Sequence, residues 1–155
     1  MHIVVLVVAA FIAGFLFNRY LVSRAQRSNV TSEPLLSEFE AHVSARDFDS
    51  MVLQASHQSP VVADFFASWC GPCHELGPRL AGFARDYGGR FLLAKIDVDA
   101  EKGLATRYQI QSMPTVLLFK DGKIVDRFVG AVGDHTIRYF LAKNGVQEPT
   151  SDASI

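Results

Sequence analysis

Apolar positions fall into two kinds of pattern along the chain. Residues 3–17 are fifteen in a row without a polar side chain, and beyond Asn18 and Arg19 the apolar character returns at Tyr20, Leu21 and Val22. Taken to Val22 the segment is twenty residues, and at about 1.5 Å each it matches the ~30 Å of a bilayer core. The pattern predicts a transmembrane anchor over residues 1–22, with Arg19 extending to the interface and Tyr20 beside it as an aromatic anchor. Residues 23–35 are polar, contain Pro34 and read as a linker.

From residue 36 the pattern changes to short alternating segments. Phe48, Met51, Val52 and Ala55 recur at helical spacing after a capping Asp47, and Pro60 ends that helix. Residues 61–67 are almost continuously apolar, as in a strand covered on both faces. Leu76, Leu80, Phe83, Ala84 and Tyr87 form a helical stripe closed by Gly88-Gly89. Residues 91–96 read as a second buried strand, and Asp99 as the cap of a helix carrying Leu104, Ala105 and Tyr108. Residues 115–119 and 124–129 are strands joined at Asp121-Gly122, and Ile137, Phe140 and Leu141 mark a last helix after Asp134. This order predicts an α/β domain over residues 36–146, a mixed central sheet with helices on both faces, followed by a flexible tail over 147–155.

Composition and charge narrow the picture. A chain of 155 residues holds one domain with its own core plus an appendage. Net charge is −1 and basic residues do not cluster in the body, which argues against nucleic-acid binding. Arg19, Arg24 and Arg27 all lie on the C-terminal side of the apolar segment, so the positive-inside rule places the domain in the cytoplasm. A cleaved signal peptide is the competing reading. Ser23-Arg24-Ala25 has small residues where a signal peptidase reads, but Met1-His2 supplies no Lys or Arg ahead of the run. A domain facing the periplasm or another oxidising space would need electrons passed across the membrane, for instance for cytochrome maturation.

The chain's two cysteines, Cys70 and Cys73, stand two residues apart between an apolar strand and a helix, the context of a redox dithiol. Two thiols and five scattered histidines are too few for a disulfide framework or a four-ligand zinc site. His74 makes the string formally a haem-attachment signature, but a packed strand–turn–helix is not the flexible segment that thioether attachment needs. Cys70 at the helix N-terminus meets free N–H groups and the positive end of the dipole, which favour its thiolate as nucleophile. Cys73, one turn further in and expected to be less exposed, suits the resolving role. Pro72 fits the first helical turn, whereas Pro78 lies deeper and should kink the helix. Asp64 interrupts the apolar strand, and burial would raise its pKa and make it a proton acceptor for the resolving thiol. Lys95 interrupts the next strand and could partner it.

The strings Ala63-Asp64-Phe65-Phe66-Ala67-Ser68-Trp69-Cys70-Gly71-Pro72-Cys73, Lys95-Ile96-Asp97-Val98-Asp99, Met113-Pro114-Thr115 and Phe119-Lys120-Asp121-Gly122 together resemble the thioredoxin family. The resemblance implies the thioredoxin fold and dithiol–disulfide exchange, with Cys70 attacking and Cys73 resolving. It implies that Asp64 lies buried behind the dithiol, that Lys95 approaches it, and that Pro114 is cis and faces the sulfurs. Substrate contacts are implied at Trp69, Gly71, Pro72, Met113, Pro114 and Gly130. Gly-Pro between the cysteines resembles the reducing members, so a protein-disulfide reductase is expected, acting on protein disulfide substrates. No metal and no cofactor is implied. In the absence of a nucleotide-binding glycine fingerprint, a separate reductase would recharge the dithiol. A non-catalytic adaptor keeping only the fold would have no use for both cysteines. The chain departs from the family at His74, where Lys or Arg is usual, and at Phe66, where many members carry a second tryptophan.

Overall fold

Alternation of side chains along extended segments decides how this domain is layered. In the computed structural model, which describes residues 38–149, five strands form one sheet: β1 (Glu40–His42), β2 (Val61–Phe66), β3 (Leu92–Asp97), β4 (Thr115–Lys120) and β5 (Lys123–Val129). Their order is β1-β3-β2-β4-β5. β1 and β2 flank β3 in parallel, and β4 runs antiparallel to both β2 and β5. Among the described residues the α-helices are α1 (Gly71–Asp86), α2 (Lys102–Arg107) and α3 (Asp134–Lys143). The anchor read in residues 1–22 and the linker of 23–35 lie outside the described residues, as do residues 150–155 of the tail. Among the described residues no helix is long and apolar enough to cross a membrane.

Odd and even positions of the central strands sort into two cores. Ala63, Phe65, Ala94, Ile96, Leu117 and Phe119 pack with Phe48, Val52 and Leu104 on one face. Val62, Leu93, Val116 and Leu118 pack with Leu76, Leu80 and Phe83 of α1 and Ile137, Phe140 and Leu141 of α3 on the other. Both faces are covered, which is why these strands read as nearly continuous apolar runs.

At several points the fold differs from what the periodicity predicts. β1 is too short and too polar to read as a strand, and forms because Glu40, Ala41 and His42 register against Leu93, Ala94 and Lys95. The first helical segment is a π-helical stretch, Asp49–Gln54, running into a 3-10 turn, Ala55–His57. Asp47 does not cap it with its side chain: Phe48 holds the cap position, and the Asp47 carboxylate accepts from Ser44 Oγ at 2.6 Å. Asp99 does not cap α2, whose N-cap is Glu101. Its backbone N–H is taken by Asp97 Oδ1 at 2.9 Å, which leaves its own carboxylate free for another use. Helix α1 runs unbroken through Pro78.

The hairpin of β4 and β5 turns at Asp121 (φ 51°) and Gly122 (φ 72°), and slips register between Leu118 and Phe119. Val125 is the extra residue of the resulting bulge. Beside it, Asp126 accepts from the Arg127 N–H, Lys143 Nζ and Asn144 Nδ2, tying β5 to the end of α3. Burial pushes the Asp126 pKa up, but these bonds outweigh it and hold the carboxyl below its ordinary range. Glu148, inside the stretch read as a flexible tail, is held by Tyr87 Oη and by Arg138.

Candidate active site

The dithiol sits where β2 hands the chain to α1. Cys70 is the N-cap of α1 in extended conformation (φ −83°, ψ 107°), and Pro72 stands in the first turn, where a missing N–H costs nothing. The two sulfurs are joined as a disulfide, with the Cα atoms 5.3 Å apart. The N–H of Cys73 donates to Cys70 Sγ at 3.2 Å. An N-cap acceptor normally carries oxygen; here sulfur fills that place, and the same N–H and helix dipole would stabilise a thiolate there. The two cysteines are equally buried, at 5% and 6% exposure, so the expected difference in exposure is not found in the oxidised pair. Their difference lies in position on the helix.

Asp64 is 1% exposed, and its Oδ1 has no hydrogen-bond partner. By strand alternation it shares a face with Val62, the face that α1 covers. Lys95 is its register partner on β3. A Cβ on Gly77, one turn past Cys73, would lie 4.0 Å from Lys95 Nζ, so the ammonium is under α1 as well. Desolvation raises the Asp64 pKa to about 6, against the pull of Lys95, which lowers it. Lys95 therefore acts on Asp64 through its field and does not hydrogen-bond Oδ1. The same ammonium stands 5.5 Å from the Phe66 ring, where an aromatic of any kind would serve.

The residues expected to contact substrate surround the dithiol's end of the sheet. Trp69 is 67% exposed, Gly71 and Pro72 are exposed, and Met113 is half-buried against the core cluster that holds both cysteines. The Met113–Pro114 bond is cis. The carbonyl of Pro114 accepts from the N–H of Gly130 at 2.8 Å, so the loop before β4 and the end of β5 meet. Gly130 has φ 93°, a conformation open to glycine.

Two contacts escaped the sequence reading. The Trp69 indole N–H donates to Asp99 Oδ2 at 2.8 Å, and His74 Nε2 lies 2.8 Å from the Ser68 carbonyl. Asp99 was visible as a polar residue after an apolar strand, but a cap was the simpler reading of it. The haem arrangement does not fit: both sulfurs are bonded to each other and Nε2 of His74 is committed to Ser68. Among the described residues no three His, Cys, Asp or Glu side chains gather as a metal ion would require.

A disulfide capping a helix at the end of a mixed five-stranded sheet, with a buried carboxylate under that helix and a cis-proline loop, defines a dithiol protein of thioredoxin fold. The thioredoxin family profile matches residues 39–143, and the chain belongs to that family. Mouse mitochondrial thioredoxin is 42% identical over 97 residues, 63% of this chain and 57% of its own length. The thioredoxin of Chlorobaculum thiosulfatiphilum is 42% identical over 92 residues, 59% of this chain and 83% of its own. That of Pseudomonas aeruginosa is 36% identical over 109 residues, 70% of this chain and 99% of its own. The chain thus spans 57% of the length of the mitochondrial relatives it matches.

Proposed function

We propose that the protein is a thiol–disulfide oxidoreductase working as a protein-disulfide reductase, tethered to a membrane through residues 1–22. The observation that carries the activity is the N–H of Cys73 aimed at Cys70 Sγ at the helix N-cap. In the reduced protein Cys70 as thiolate attacks one sulfur of a substrate disulfide, and the other substrate sulfur leaves as a thiolate. Cys73 then gives its proton to Asp64 and attacks Cys70 Sγ. The second substrate sulfur departs, the Cys70–Cys73 disulfide remains, and two electrons have passed to the substrate. Lys95 keeps the Asp64 pKa from rising further. Trp69, Gly71, Pro72, Met113, Pro114 and Gly130 form the surface on which the substrate chain lies. A separate reductase returns two electrons to the pair.

Replacing Cys70 by Ser is expected to abolish reduction of a protein disulfide, whereas Cys73→Ser should accumulate a covalent mixed disulfide through Cys70, seen by intact mass. Full turnover without Cys70 would rule the mechanism out.

A further inference from the structure

The turn from Ala67 to Cys70 carries both the most exposed aromatic beside the dithiol and the nucleophilic sulfur, and four hydrogen bonds set its shape. Cys70 N–H closes it onto the Ala67 carbonyl at 3.1 Å. The Trp69 indole ties its side to Asp99 across a sequence gap of 30 residues. The other two come from His74, one turn into α1: its backbone N–H donates to the Cys70 carbonyl at 3.4 Å, and its ring reaches back to the Ser68 carbonyl. A carbonyl oxygen can only accept, so Nε2 carries the proton and donates. Residue 74 therefore grips the turn at both ends, by backbone at Cys70 and by side chain at Ser68. Without the ring bond, Ser68 and Trp69 are exposed residues held only by the turn closure and by one contact to a separate loop.

We infer that His74 is a positioning residue for the dithiol: by fixing the Ser68 carbonyl it sets where the turn presents Trp69 and Cys70 to a protein substrate. The inference rests on the reductase reading for its kinetic consequence, but not for its structural one. A flat imidazole with two side-chain torsions loses less freedom in such a bond than the long Lys or Arg usual at this place. The clamp concerns the extended surface beside the sulfur, so its loss should be felt by a protein disulfide more than by a small one.

Trp69 is the chain's one tryptophan, so its fluorescence reports on the turn directly. The test compares the reduced full chain in detergent micelles with its His74→Leu and His74→Gln variants; the glutamine amide can still donate to Ser68. In His74→Leu the time-resolved anisotropy of Trp69 should gain nanosecond motion. Its rate constant toward a protein disulfide should fall about fivefold, equivalent to ~1 kcal/mol, with less than about a twofold change toward a small aromatic disulfide. His74→Gln should restore both the anisotropy and the rate. Unchanged Trp69 anisotropy in His74→Leu, or a glutamine variant as slow as the leucine one, would overturn the inference. A wild-type chain inert toward both disulfides would count against the reductase reading, while the anisotropy comparison would still decide the clamp.

Discussion

Asp64 and Asp126 show how one functional group is driven in opposite directions by its surroundings. Asp126 has three donors and is held below the ordinary carboxylate range, whereas Asp64 has a bare Oδ1 and only the field of Lys95, and is raised to about 6. Between the unfolded value near 3.8 and the folded value of about 6 the native state binds more protons, so stability falls as pH rises through this window. The raised pKa corresponds to ~3 kcal/mol that the native state holds below about pH 4 and has lost above about pH 6. Asp64→Asn is therefore expected to raise the denaturation midpoint at pH 8, with the gain shrinking to nothing towards pH 4; chemical denaturation at a series of pH values measures it. The same variant should slow resolution of the mixed disulfide about 10²-fold, the usual worth of a general base. A rise in stability without that slowing would leave Asp64 a structural oddity. Asp64 and Lys95 were legible because charge inside an apolar strand is conspicuous, and the cysteines because of their spacing. The Trp69–Asp99 contact was not, since loop residues 30 positions apart meet only through the fold, nor was His74–Ser68, in which a helix side chain turns back to a carbonyl of the preceding turn.

Helix α1 carries the dithiol at its start and lays Leu76, Leu80, Phe83 and Ala84 into one core along its side, and its interior contains Gly77 and Gly82. Glycine in a helix interior costs up to ~1 kcal/mol relative to alanine. A Cβ on Gly82 would meet only the mobile tip of Arg85, at 3.9 Å. Gly82→Ala should therefore raise Tm by a few degrees without changing activity, as thermal unfolding followed by circular dichroism would show. Gly89, just past the helix, should behave in the opposite way. It has φ 78°, and a Cβ there would lie 2.6 Å from the Phe39 ring, so Gly89→Ala is expected to destabilise by more than ~1 kcal/mol. The stripe of α1 was readable because its period comes from its own residues, as were the strands buried on both faces. β1 was not, because three half-polar residues become a strand only through a partner some fifty positions away. The caps at Asp47 and Asp99 failed for a related reason: each carboxylate found a nearer or better donor than the helix amides, Ser44 in one case and Trp69 in the other.

For the chain as a whole, the proposed organisation joins a membrane anchor to a redox domain, and the two parts are separable by experiment. The full chain should sediment with membranes, and deletion of residues 1–22 should release an active domain. A compartment-sensitive reporter fused after Val146 should respond as cytoplasmic if charge asymmetry sets the orientation; an oxidising-side response would reverse it and require electrons from across the membrane. Order and class of elements were legible at this level, because hydrophobic periodicity alone dictates how many layers the sheet must have. The hairpin bulge at Val125 carries a further consequence. A reductase of protein disulfides meets chains that are partly unfolded and rich in unpaired backbone, the material most prone to adding itself to an open sheet. Here one border of the sheet is a strand of three residues. The other is broken by Val125, and one of its donors, the Arg127 N–H, is already taken by Asp126. Both borders are poor templates, so an extended chain that meets the domain finds little invitation to polymerise along the rim.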